Sequence, residues 1–388
     1  MNPQPQPAQM SRPHVAEWFG HRVFPEVSTG AGALGDQGTG RCPFLSRTLN
    51  ATTACVKAEN SRGVCTISAA SNGPRQDWLV CPYRALDDGL LASMVRRLYD
   101  VHPATAVHIR PVLALRHDPD RAAILAGVHS AAARVFVYFQ DKLGGEIGLA
   151  GTGASPELSF DITVVELLPA DPAPPAIPAE LAGPPVRVGR YGVIELQTTD
   201  THGTYRHAVT ALTSALDLHG PRFPQMLAEN PEWAGRRIEG PNISNVFKRT
   251  FYQIAFKFQV TRRDTSAGCA LAIPQPVWDS WQPFLGAPEL HEQPDGTWRL
   301  LDDQDANPSN WIYVFDISDE PGPEGGPAAV NVRLVIGTDA ATLSRAAFDI
   351  APARAVEHHG GADAVVSAII RRLNSYLPGL QHLSDDRW

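Results

Sequence analysis

The chain has 388 residues, of which 43% are hydrophobic and 19% are charged, and its formal net charge is −8 at pH 7. That length allows one large hydrophobic core or two unequal ones. The proline-rich N-terminus lacks the apolar segment of a secretory signal, and no apolar run is long enough to span a membrane. The composition therefore argues against a membrane protein and predicts a soluble, cytoplasmic one.

Four of the five cysteines lie close together near the N-terminus, and Cys269 lies alone far downstream. In the cytosol, four thiolates around one tetrahedral iron or zinc ion are a more usual arrangement than disulfides. The intervening gaps of 12, 9 and 15 residues contain no Cys-x-x-Cys pair, so the spacing alone equally allows four unrelated buried thiols. The four cysteines are Cys42, Cys55, Cys65 and Cys81.

A helix is predicted over residues 121–143, because apolar residues recur there at helical spacing and Gly144-Gly145 provides a helix stop. Three antiparallel strands are predicted next, over residues 146–149, 158–168 and 186–197. The proline-rich segment Pro169 to Pro185 separates the last two strands.

The alternation of the two longer strands places polar groups on one side. Asp161 faces away from Phe160 and Ile162, whereas Glu195 and Gln197 share a face because they are two residues apart. Carboxylate and amide oxygens suit Mg²⁺, which takes one or two carboxylates and bridges to a substrate phosphate. The alternative without a functional site is a surface strand that carries exposed polar residues.

A second helix is predicted from about Tyr205 to Leu218, a third over 242–258 and a further strand at 269–273. The third helix has an apolar face and a polar face, and seven Lys and Arg residues between Arg236 and Arg263 are opposed only by Glu239. This local charge predicts contact with a polyanion, although a solvated basic face would have the same pattern. The predicted DNA-contacting residues are Asn245, Lys248, Arg249 and Tyr252.

Asp161, Glu195 and Gln197 also follow the pattern Asp, roughly thirty residues, then Glu-x-Lys, with Gln197 in the place of the lysine. The pattern names the PD-(D/E)XK nucleases, whose core has this order of helices and strands. The chain further resembles the NotI-type restriction endonucleases in a set of blocks that runs in order from about residue 17 to 315. These blocks include WFGHRVFPEVS (18–28), CVKAENSRGVC (55–65), DWLVCPYRALD (77–87), YFQDKLGGE (138–146), YGVIELQTTDTHGTYRHAV (191–209) and EGPNISNVFKRTFYQIAFKF (239–258).

The resemblance implies a type II restriction endonuclease with an α/β fold, a mixed sheet flanked by helices. It implies Mg²⁺-dependent hydrolysis of double-stranded DNA at a GC-only palindrome, GCGGCCGC or a shorter site within it, leaving 5′-phosphate and 3′-hydroxyl ends. A palindrome implies a homodimer, and a restriction system implies a cognate DNA methyltransferase, with no direct contact between the two. Glu146 would join Asp161 and Glu195 around one or two Mg²⁺ ions. The four N-terminal cysteines would hold a structural iron, or zinc.

Four regions are predicted: a disordered tail (1–16), the cysteine metal-binding region (17–104), the nuclease core with the DNA-contacting helix (105–320) and a C-terminal extension (321–388). Two other functional classes stay open. One is a repair or mobile-element nuclease of the same fold. The other is a catalytically inactive DNA-binding protein, which the glutamine at position 197 would favour.

Overall fold

The computed structural model describes residues 12–70, 74–130, 132–153, 155–171, 185–199, 201, 203–303, 306–322, 325–359 and 361–377, with backbone only at 243–245, 359, 361 and 362. The strands are β1 (His14–Trp18), β2 (His21–Arg22), β3 (Val64–Ala70), β4 (Arg75–Leu79), β5 (Ala106–Pro111), β6 (Ala133–Phe139), β7 (Ile147–Leu149), β8 (Leu158–Phe160), β9 (Ile162–Pro169), β10 (Val186–Leu196), β11 (Ser266–Pro274), β12 (His291–Glu292), β13 (Trp298–Leu300), β14 (Asn310–Ile317) and β15 (Val330–Thr338).

The α-helices are α1 (Ala31–Thr39), α2 (Pro43–Leu49), α3 (Asp88–Leu98), α4 (Asp118–Val128), α5 (Arg206–His219), α6 (Phe223–Glu229), α7 (Ile243–Val260), α8 (Gln275–Leu285), α9 (Ala340–Arg345), α10 (Ala351–His359) and α11 (Gly361–Leu373). Within the described ranges, none of these helices has the length and apolar character needed to cross a membrane.

A large mixed sheet organises the fold, in the order β12-β13-β15-β14-β11-β10-β9-β6-β5. At its centre β10 runs antiparallel to β9 and parallel to β11. Helices cover both faces, so residues of both parities along the central strands are buried. Val193 and Leu271 pack in the core that includes residues of α5, α7 and α8, whereas Ile194 and Ala270 pack in the core that includes residues of α3. The predicted mixed α/β sheet flanked by helices is confirmed.

A smaller sheet precedes it, with the order β2-β1-β3-β4. Its first strand begins at His14 and is buried throughout, so the predicted tail over 1–16 is wrong at its last residues. Residues 1–11 lie outside the described part of the chain. The division at residue 320 is also wrong as a fold boundary, because β15 pairs with β14 on one side and β13 on the other. The C-terminal region therefore completes the large sheet.

The single helix predicted over 121–143 is wrong. Helix α4 ends at Val128, and the residues that follow form β6, which pairs with β5 and β9. The strand sequence ARVFVYF consists mostly of β-branched and aromatic residues and is largely buried, and a run that is apolar at most positions satisfies helical and strand spacing alike.

The other predicted elements mostly form. Helices α5 and α7 and strand β11 match their predicted ranges within two or three residues. In the large sheet β9 pairs antiparallel with β6 and with β10, whereas β7, at the strand predicted over 146–149, pairs with β8 in a separate two-stranded sheet. The predicted strand over 158–168 is divided at Asp161, which lies between β8 and β9.

Candidate active site

Asp161 and Glu195 lie side by side at one end of the large sheet. Ile162 pairs with Ile194 in the β9–β10 register, and because the strands are antiparallel, the residue before Ile162 and the residue after Ile194 are neighbours across the ladder. The Leu196 backbone N–H donates to Asp161 Oδ2 at 2.8 Å. The structure therefore brings the two predicted carboxylates together and fixes the orientation of Asp161.

The two carboxylates open into a cleft of about 220 Å³ between the end of β10 and helix α7. Gln197 and Thr198 line it from the strand side. The helix contributes the polar residues Arg249, Thr250 and Gln253 together with the apolar Val246 and Ile254. The cleft thus combines two acids, two amides, two hydroxyls and a guanidinium.

Glu195 is nearly inaccessible to solvent, with 5% relative exposure. Burial, reinforced by the nearby charge of Asp161, raises the pKa of Glu195 to about 8, and Lys257 opposes this shift. Lys257 Nζ donates to Glu195 Oε2, whereas the buried Oε1 atom has no hydrogen-bond partner among the described residues. A buried carboxylate oxygen without a donor is costly and favours a cation beside it.

Lys257 is the site residue that sequence reasoning missed. It lies on α7 with 4% relative exposure and pairs with Glu195, so one of the seven clustered cations is not available at the surface. The signal was present, because Lys257 follows Ile254 by three positions and precedes Phe258, both on the apolar face of the helix. A lysine in that position needs a buried acid.

Gln197 is held against the same helix. Thr250 Oγ1 donates to Gln197 Oε1, and Gln197 Nε2 donates to the Thr198 carbonyl. Its backbone N–H donates to the Ala272 carbonyl at 2.9 Å. Gln197 is therefore a neutral, hydrogen-bonded group at the edge of the cleft.

Glu146 lies at the periphery of the carboxylate pair. Its side chain is exposed. Desolvation and the charge of Asp161 raise the pKa of Glu146, whereas a hydrogen bond with Ser159 lowers it. Within the described residues, His, Cys, Asp and Glu side chains form no group of three or more that could hold a metal ion. The site as it stands thus has two central carboxylates, with Glu146 nearby and not in a ligating cluster with them.

The predicted DNA-contacting residues divide on the surface of α7. Arg249 lines the cleft, whereas Lys248 points outward and Tyr252 is 60% exposed and packs against Phe256. The side chain of Asn245 lies outside the described part of the chain.

The four N-terminal cysteines are all free thiols, and within the described residues no three of them form a group that could hold a metal ion. Cys65 Sγ donates to the Gly63 carbonyl at 3.4 Å, and hydrogen bonding with Cys65, the charge of Lys57 and the backbone N–H groups of Tyr83 and Arg84 lower the pKa of Cys81. The pKa of Cys42 is raised to about 11 by burial and by Cys81 and Cys55.

Two of these thiols share a backbone arrangement. Backbone N–H groups of Phe44 and Leu45 hydrogen-bond the Cys42 sulfur, as those of Tyr83 and Arg84 do for Cys81. Each Cys-Pro-aromatic turn therefore aims amide donors at a sulfur. Such donors stabilise thiolate, the form that binds metal.

No protein-family model matches this chain, and no curated protein matches it. Inference about the function therefore depends on the residues of the cleft. Those residues include two juxtaposed carboxylates beside a helix with exposed basic and aromatic side chains. One of the two is buried, with an oxygen that has no hydrogen-bond partner in the part of the chain that the structure describes.

Proposed function

We propose that the protein is a Mg²⁺-dependent DNA endonuclease of the PD-(D/E)XK type, related to the NotI-type restriction enzymes. The observation that carries the proposal is the pair of carboxylates at the shared end of β9 and β10, open to a polar cleft beneath a basic helix. The mixed sheet flanked by helices supports the same fold type.

The donor set fits a divalent cation. Asp161 and Glu195 offer hard carboxylate oxygens, and Glu195 Oε1 is buried and has no partner among the described residues. Mg²⁺ is commonly held by one or two protein carboxylates, with substrate phosphate and water completing its coordination. Two carboxylates are therefore sufficient, and Glu146 would act from the rim of the cleft.

The residues divide the work of phosphodiester hydrolysis. When bound, Mg²⁺ would lower the pKa of the attacking water and neutralise the charge that develops on the phosphate. Asp161 keeps its orientation because the Leu196 N–H holds one of its oxygens. Gln197, which carries no charge, can orient water or phosphate only by hydrogen bonds. Arg249 lines the cleft, from which its guanidinium would contact the DNA at the point of cleavage.

Restriction is the form of this activity that the resemblance favours, with a homodimer acting on a GC-only palindrome and a methyltransferase protecting the host DNA. The test is digestion of a GC-rich genome of known sequence, with all fragment ends sequenced. We expect one palindromic sequence at every end and 5′-phosphates that ligate directly. Mg²⁺-dependent fragments with unrelated ends would favour a repair or mobile-element nuclease, and intact DNA would favour a binding protein.

The outer face of α7 gives a prediction about DNA binding. Replacing the outward Lys248 by alanine should weaken binding to all duplexes alike. It should also reduce the slope of the logarithm of the binding constant against the logarithm of the salt concentration by about one unit, as the loss of one phosphate contact does. If Arg249 contacts a guanine, Arg249→Ala should cost roughly 1–3 kcal/mol on the cognate duplex and far less on a random one. A salt titration on both duplexes in Ca²⁺ measures the two effects. Wild-type binding by both variants would show that these residues of α7 do not contact DNA.

We also propose that Cys42, Cys55, Cys65 and Cys81 hold one structural iron or zinc ion. Amide N–H groups lower the pKa of Cys81, and at Cys42 they offset part of the rise in pKa that burial causes. Binding would replace the Cys65–Cys81 hydrogen bond with bonds to the metal. Tetrahedral sulfur sites accept either ion.

Removing any one of the four thiols should therefore lose metal and stability together. A closed structural metal site contributes folding free energy directly, so Cys65→Ser or Cys81→Ser should lower the melting temperature and release the ion. Cys269 is the matched control, because it is also buried but lies in β11. Elemental analysis and thermal melting measure both effects, and a metal-free wild-type protein would contradict the proposal.

A further inference from the structure

We propose that Lys257, on helix α7, supplies a positive charge directly beside the active-site carboxylates and positions Glu195, because β10 carries a neutral glutamine at position 197. The inference rests on the proposed nuclease function. It assigns a residue that lies far from the Glu-x-Gln segment in sequence and contacts it only in the folded protein.

The burial of Lys257 requires a specific reason. Its side chain is 5% exposed, its ion-pair partner is Glu195, and its ammonium lies 6.0 Å from the centre of the Phe160 ring. An ammonium group in such surroundings loses its hydration, and apolar residues of similar volume generally hold a helix on a sheet equally well. Lysine at this position therefore indicates a role for its charge.

Lys257 and Thr250 attach α7 to β10 at two matched points. They are seven residues apart, or about two turns, so they lie on one face of the helix. Glu195 and Gln197 are two residues apart and lie on one face of the strand. Lys257 bonds Glu195, and Thr250 bonds Gln197. Because Gln197 is neutral and held by Thr250, the ammonium group beside the carboxylates comes from Lys257 on α7.

Glu195 also has one oxygen for each role. Oε2 accepts from Lys257, and the buried Oε1 has no partner in the described chain. One oxygen can thus stay with the lysine while the other turns to a divalent cation. Two further acids lie close to this position, Asp161 and the more peripheral Glu146. The charge of Asp161 raises the pKa of Glu195, and the charge of Lys257 lowers it.

A purely structural ion pair predicts different behaviour. If Lys257 only attached α7 to the sheet, its loss would weaken folding, metal binding and cleavage together. If it supplies charge at the site, its loss should slow cleavage but strengthen metal binding at a pH where Glu195 is ionised, because a cation that repels Mg²⁺ has been removed.

The test is to move the lysine. Lys257→Met should lower the single-turnover cleavage rate by about a hundredfold, the usual effect of losing one electrostatic group at a reacting centre, while calorimetry with Mn²⁺ should show binding tighter by about tenfold. Adding Gln197→Lys to Lys257→Met should restore at least about a tenth of the wild-type rate. Arg333→Met, which removes an exposed cation paired with Asp316, is the control and should change neither value.

Unchanged cleavage by Lys257→Met would overturn the inference. Weaker Mn²⁺ binding with no recovery in the double variant would overturn it in favour of a structural ion pair. A wild-type protein that cut no DNA would contradict the proposed function. It would also contradict a role for the Lys257 charge in phosphate cleavage. Tighter Mn²⁺ binding by Lys257→Met would still support electrostatic repulsion between Lys257 and a cation held by Glu195.

Discussion

Glu195→Gln and Asp161→Asn are each expected to lower Mg²⁺-dependent cleavage by about a thousandfold or more, the scale of losing a group on which the chemical step depends. Both changes keep the size of the side chain and remove one negative charge. Asparagine at position 161 retains an oxygen that can accept from the Leu196 N–H. Single-turnover rates measured with saturating protein isolate the chemical step.

Binding distinguishes a lost active site from a lost fold. Both variants should still bind the cognate duplex in Ca²⁺, and circular dichroism should match the wild type. Asp316→Asn, which changes a half-buried acid of β14 that is paired with the exposed Arg333, is the matched control. A rate near wild type for either site variant would place the active site elsewhere.

Arg84→Met is expected to destabilise the protein by about 3–5 kcal/mol, the range for removing one partner of a buried ion pair. Glu17 and Arg84 have relative exposures of 0% and 2%. Arg84 donates to both Glu17 oxygens at 2.9–3.2 Å, and Thr66 Oγ1 donates to Glu17 Oε2 at 3.2 Å. Without the guanidinium, the carboxylate would be buried with a single hydroxyl donor.

The same pair joins distant parts of the chain. Arg84 also donates to the Ala328 carbonyl at 2.7 Å, so β1, the cysteine region and the segment before β15 meet at one guanidinium. Urea unfolding measures the loss. The double variant Glu17→Met/Arg84→Met should lose much less than Arg84→Met, because it leaves no uncompensated charge. A loss below about 1 kcal/mol in the single variant would be typical of an exposed pair and would contradict the buried one.

Strand β10 could be predicted because its polar residues interrupt a strong apolar alternation. Glu195 and Gln197 alternate with Ile194 and Leu196, and only one strand register places the apolar pair on one side. Asp161 followed from the same logic, although its strand is divided at that residue. Local periodicity thus located both carboxylates.

Lys257 could not be assigned from local periodicity alone. It lies 62 residues from Glu195, and its role depends on α7 crossing the end of β10, a long-range contact that no spacing rule encodes. In the sequence it was one of seven clustered cations, and a basic surface explained all seven equally well. Its position on the apolar helix face was the only distinguishing feature.

Two parts of the fold were missed for related reasons. Strand β6 is apolar at most positions, so its residues satisfied a helical pattern that continued from α4. The predicted extension over 321–388 begins where the blocks that resemble the NotI-type enzymes end, yet β15 pairs with β13 and β14 inside the sheet. Pairing between strands far apart in sequence is set by the tertiary fold.

The most direct test of the central claim is the anomalous scattering of Mn²⁺ in a crystal of the protein with a cognate duplex. We predict a Mn²⁺ peak at bonding distance from the carboxylates of Asp161 and Glu195, beside a DNA phosphate, and no peak there in a Glu195→Gln crystal. A protein that cleaves DNA in Mn²⁺ while its crystals bind the ion elsewhere, with Glu195 in contact only with Lys257, would contradict the account.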